Sequence, residues 1–168
     1  MRLSDLLGIP RPGETGAGTL KGFLSIPQVA GLGWPEDVVD EWLWKLGSHL
    51  EFLDDYDSLE LETVQWAREE LPVTELVNLP TGPSEADLIE YNANHHQYLL
   101  QQRPVAIAHA WNSSGTWLAP PLLIDRILLG PSNTGLQIVE GRTRVGILRG
   151  RHRNGLFVAA RHTVWVGR

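Results

Sequence analysis

Apolar positions recur at helical spacing in the first half of this chain and gather into short runs in the second. Val38, Val39, Trp42, Leu43 and Leu46 mark one face of a helix that starts at Pro35, carries Glu36 and Asp37 in its first turn and stops at Gly47. That face packs Trp42 and Leu46 on the core and turns Asp40, Glu41 and the acids of 51–62 outward. Residues 64–71 read as one or two further helical turns before Pro72. Ser84 as a cap, with Asp87 three residues on, predicts a helix through Leu88, Ile89, Tyr91, His95, Tyr98, Leu99 and Leu100 that stops before Pro104. Apolar runs bounded by turn residues predict strands at 73–79, 105–111, 116–118, 121–129, 136–139 and 156–166. Asn112-Ser113-Ser114-Gly115, residues 131–135 and Asn154-Gly155 are the turns between them. Residues 9–19, rich in proline and glycine, read as a loop. The Gly16 and Gly18 spacing within it lacks the preceding strand and third glycine of a dinucleotide fingerprint.

Composition places these elements in one ordinary globular domain of 168 residues, 42% hydrophobic and 20% charged. We expect an acidic helical segment over residues 1–71 and an α+β domain over 72–168, forming one compact unit. Seven tryptophans, against three phenylalanines and three tyrosines, supply most of the large core side chains. The absence of cysteine excludes disulfides, thiolate zinc sites and a cysteine nucleophile. No segment approaches the roughly 20 apolar residues of a membrane helix. No signal-peptide-like stretch opens the chain, so a cytoplasmic, bacterial-type location is the expectation.

Charge is distributed unevenly. The formal net charge is -6, yet residues 36–75 are dense in Asp and Glu, with only Lys45 and Arg68 opposing them, whereas residues 142–168 carry arginines and no acid. Either a charged partner meets one end, or the two regions face each other within the fold. Net acidity opposes affinity for a phosphate backbone, so DNA binding is not expected. Asp54, Asp55, Asp57, Glu60 and Glu62 form a candidate surface for a basic protein. On that reading the chain is a non-catalytic acidic module, such as an immunity or antitoxin protein that neutralises a basic nuclease toxin. The same acids lack the glycine and closing glutamate of a calcium loop. The neighbours His95 and His96 point in different directions on a helix and do not form a metal-ligand pair.

Residues 135–149, GLQIVEGRTRVGILR, carry the most chemistry. A short buried strand ends at Glu140 and Gly141. Arg142, Thr143 and Arg144 then open the next element, presenting cations and backbone N–H groups at its start. An anion, often a phosphate, suits that arrangement, and a carboxylate of the protein suits it equally.

The same stretch resembles the Gly-x-x-Arg motif of the ParB/sulfiredoxin superfamily, with Gly141 and Arg144 in the motif positions, over roughly residues 72–150. Residues 120–124 are similar to the strand preceding the motif, and residues 73–79 to the family's first strand. The resemblance implies a ParB/sulfiredoxin-like mixed sheet with flanking helices. It also implies a nucleotide or phosphate ligand, Mg²⁺ with the nucleotide, and phosphotransfer or NTPase activity as the chemistry open to such a site. In it Gly141 cradles phosphate, Arg142 and Arg144 clamp it, Thr143 offers a hydroxyl, and Glu140 serves as metal or base partner. Arg142 stands where many members have histidine. The missing cysteine excludes sulfinic reduction. Too few residues follow Gly150 for the DNA-reading helices of segregation proteins.

Overall fold

The computed structural model describes residues 1–10 and 18–168. The loop read at 9–19 falls mostly on residues 11–17 and lies outside the described residues. Four strands, β1 (Trp66–Pro72), β2 (Leu122–Asp125), β3 (Leu136–Glu140) and β4 (Arg161–Gly167), form one mixed sheet in the order β1-β4-β2-β3. β1 runs antiparallel to β4, β4 parallel to β2, and β2 antiparallel to β3. Leu122 faces Glu140 while Leu123 faces Ile138, so Val139 is one residue extra and the end of β3 is bulged.

Side-chain alternation divides the sheet between two cores. Leu122, Ile124, Val139 and Trp165 face one; Leu123, Ile138, Val164 and Val166 face the other. The first is covered by α1 (Leu20–Leu24), α2 (Pro27–Ala30), α3 (Glu36–Val38) with its π-helical continuation Val39–Trp44, and α4 (Leu50–Tyr56). The second is covered by α5 (Val73–Leu76), α6 (Ala86–Asn94), α7 (His96–Gln101), α8 (Val105–Ser113) and α9 (Arg142–Arg153). The architecture is thus α+β, with helices on both faces of the sheet.

On the first face aromatic rings set the packing. Trp34 stacks on Trp42 at 5.5 Å, and Trp66 stands edge-on to both. Trp42 is fully buried and Leu46 packs at its side, as the helical spacing predicts. The widened turn, marked by the bond from Lys45 N–H to the Asp40 carbonyl, accompanies the burial of Trp42, Leu43 and Trp44 in succession. On the second face α9 lies close against α6, because Gly146 and Gly150 stand one turn apart where Asn92, Ala93 and His96 press in.

Several elements differ from the sequence reading. Residues 64–71 supply strand β1, not a helix; Arg68, Glu69 and Glu70 favour helix, but intrinsic propensity is a weak preference and seven paired positions on β4 outweigh it. Residues 73–79 hold α5 and a turn, because Pro72 ends the pairing and caps a helix. Residues 105–111 are helix α8: Pro104 is its N-cap and three alanines suit it, so the short apolar run was helical. Arg126–Leu129 is a 3₁₀ turn, residues 116–118 have no regular structure, and the last strand starts only at Arg161. The helix expected through 84–100 breaks at His95 into α6 and α7. Ser84 does not cap it; Ser84 sits in a 3₁₀ turn and gives its own N–H and hydroxyl to Asp55 at 3.1 and 2.9 Å.

Candidate functional site

Glu140 ends β3 and Gly141 turns the chain directly into α9. Gly141 has φ +98°, and a Cβ there would also overlap the Pro121 ring, so two separate constraints require glycine. No side chain caps the first turn of α9, and that turn holds no acid. Gly141, Thr143 and Arg144 line a cleft of about 390 Å³. The apolar part of its lining is built from Ile107 and Trp111 of α8 with Trp117 and Leu118 of the following loop. Trp111 and Trp117 pack edge to face at 6.0 Å, and Trp117 gives its indole N–H to the Thr163 carbonyl. The loop that carries Trp117 is thereby tied to β4.

The two motif arginines are used differently. Arg142 turns inward, pairs with Glu85, gives a hydrogen bond to the Val139 carbonyl at 3.2 Å and lies 4.8 Å from the centre of the Phe52 ring. It is buried and joins α9, β3, α4 and the start of α6; it does not line the cleft as a clamp. Arg144 does line the cleft. Its guanidinium pairs with Glu140 and, at 2.7 Å, with Glu41, and reaches the Ala119 carbonyl at 3.1 Å. Glu41 is therefore not an outward-facing acid. Burial pushes its carboxyl up, but the Lys45 hydrogen bond and the Arg144 charge outweigh burial and hold it below the usual range. Of the sequence group Glu140, Gly141, Arg142, Thr143 and Arg144, all but Arg142 line the cleft. Glu41, a hundred residues away in sequence, had no local signal.

A second cleft of about 500 Å³ adjoins the first across residues 117–119 and is lined by Asp37, Asp40, Glu41, Arg68 and Glu70 with Trp165. Arg68 pairs with Asp37 at 2.8 Å and lies over Trp165, so part of this charge is settled inside the wall.

The acids 54–62 mostly have partners within the chain. Asp55 accepts from Ser84, Asp57 accepts from the Ser4 N–H at 2.7 Å, and Glu60 and Glu62 hold the Met1 amino group. Asp54 is exposed. The arginines of the C-terminal region pair elsewhere: Arg149 and Arg153 with Glu90, Arg168 with Glu69, and Arg161 with the Glu70 carbonyl. His95 is exposed and bonds the Tyr91 carbonyl, His96 is buried against Ala93, and His109 lies exposed on α8 rather than in a strand. Among the described residues no group of three or more His, Asp or Glu is placed to hold a metal ion, and no helix is long and apolar enough to cross a membrane.

Comparison of the chain with family models, with curated proteins and with solved structures finds no match to any of them.

Proposed function

We propose that the cleft at the head of α9 binds the anionic group of a small phosphate-bearing ligand, a nucleotide first of all, on a ParB/sulfiredoxin-like frame. One observation carries the reading: the uncapped first turn of a twelve-residue helix opens, with Thr143 and Arg144, into a cleft whose apolar lining is aromatic and aliphatic. Helix-terminal amides and a fixed guanidinium favour negative charge, and the apolar wall gives the rest of a ligand a dry surface. The Glu140-Gly141-x-x-Arg144 resemblance supports the same assignment. Glu41 and Glu140 already occupy Arg144. A phosphate must therefore displace one carboxylate or arrive with Mg²⁺, which Glu140 would help to hold.

Thermal unfolding with ribonucleoside triphosphates, with and without Mg²⁺, tests this. Binding raises the transition by mass action, about 2.7 kcal/mol at a hundredfold excess of ligand over Kd. Arg144→Ala and Thr143→Val should flatten the response. No shift with any of the triphosphates would exclude the reading. Phosphate release in the same samples shows whether binding leads to turnover.

A further inference from the structure

We infer that Arg103, which the sequence did not single out, is the cation that receives the ligand's anionic group. The inference rests on the anion reading of the cleft and names the residue that does the work. Among the described residues, Arg103 is the one arginine whose side chain makes no hydrogen bond and no ion pair. It is exposed, yet it lines the cleft together with Thr143 and the start of α9. Arg142 is held by Glu85 and Arg144 by two carboxylates, so neither can meet an anion without giving up an internal partner. Arg103 gives up only water.

Its position suits the task. Arg103 stands between α7 and α8, directly before Pro104, which starts α8. α8 buries only Ala110 and Trp111 and leaves Val105 84% exposed, so little packing holds its first turn in place. Arg103 and the first turn of α9 thus line the same cleft. The cleft then opposes two cations, Arg103 and Arg144, to two carboxylates, Glu41 and Glu140. Arg103 is the member of that set whose charge is uncommitted.

The experiment is a calorimetric titration of the full chain with pyrophosphate and with ATP, CTP, GTP and UTP, each with Mg²⁺. Wild type is compared with Arg103→Ala, Arg103→Lys and, as a half-buried arginine outside the cleft, Arg126→Ala. Loss of a charge-assisted contact should weaken the tightest binder about tenfold or more in Arg103→Ala. Arg103→Lys should recover part of that loss, and Arg126→Ala should bind as wild type does. The melting temperature without ligand should stay unchanged in all three, which separates a lost contact from a lost fold. Wild-type binding that persists undiminished in Arg103→Ala overturns this inference and leaves the anion reading standing. A wild type that binds none of the five overturns both.

Discussion

At the scale of single residues, two arginines two positions apart have opposite fates. Arg142 is a brace: it is 9% exposed, joins four elements and balances Glu85. Arg142→Ala would strand a partly buried carboxylate and cost about 3 kcal/mol, read as a drop in urea midpoint. Arg144→Ala removes a partner from Glu41 and Glu140, which keep some solvent, so its stability cost should be smaller and its effect should fall on ligand binding. The spacing Gly141-x-x-Arg144 made Arg144 legible, because a residue one turn into a helix faces the strand end it came from. Nothing local separated Arg142 from it. Trp42 was legible as core from helical spacing alone. With no exposed surface, Trp42→Ala should cost about 3–5 kcal/mol. A loss under about 1 kcal/mol would show that the neighbouring tryptophans close the gap.

At the scale of elements, the α6–α9 contact depends on what is missing. Gly146 and Gly150 remove side chains where α6 and the head of α7 come closest. An alanine at position 150 would gain about 1 kcal/mol of helix propensity over glycine. It would also overlap the Ala93 carbonyl and the His96 ring, and overpacking of that kind costs about 1–3 kcal/mol. Gly150→Ala should therefore lower the melting temperature, whereas Gly155→Ala, with open space around it but φ +64°, tests backbone strain alone. The strand that follows the same logic in reverse is β1. Its Ala-Arg-Glu-Glu composition suits a helix, and only β4, almost a hundred residues later, makes it extended. Apolar runs of six or seven residues, as at 105–111, fit either state by periodicity. The proline before this one decided for helix.

At the scale of the whole molecule, the two charged regions of the sequence face each other in part, through Glu41–Arg144 and Glu69–Arg168. Stability should then fall in acid by two routes. Burial holds the His162 imidazole below its ordinary value of 6.5, against weaker opposing pulls from the Ala159 carbonyl and Glu70. The folded state resists the proton that the unfolded chain accepts, so stability is full above that value and is lost as pH falls through it. Glu41 and Glu90 are held below their ordinary 4.5. For Glu41, burial opposes Lys45 and Arg144 and is outweighed; for exposed Glu90, the Arg153 hydrogen bond leads. Their contribution is present above 4.5 and is lost as pH falls further. Urea midpoints measured at pH about 7.5, 6, 4.5 and 3 should decline monotonically. His162→Asn should remove the first step and leave the second. A profile flat to the lowest of these would contradict both.

The sequence alone determined the burial of Trp42, the glycine break after β3, the closeness of Glu140, Gly141, Thr143 and Arg144 along one turn, and an α+β chain dense in tryptophan. Each is a local matter: spacing within a helix, a residue that fits a positive φ, neighbours along one turn. Tertiary structure decided which stretches became strands, which arginine turned inward, and that Glu41 and Arg103 belong to the cleft. Those outcomes depend on residues far apart in sequence. Strand pairing and ion pairing gain their free energy only when the partner arrives, and the partner's position is a property of the whole fold.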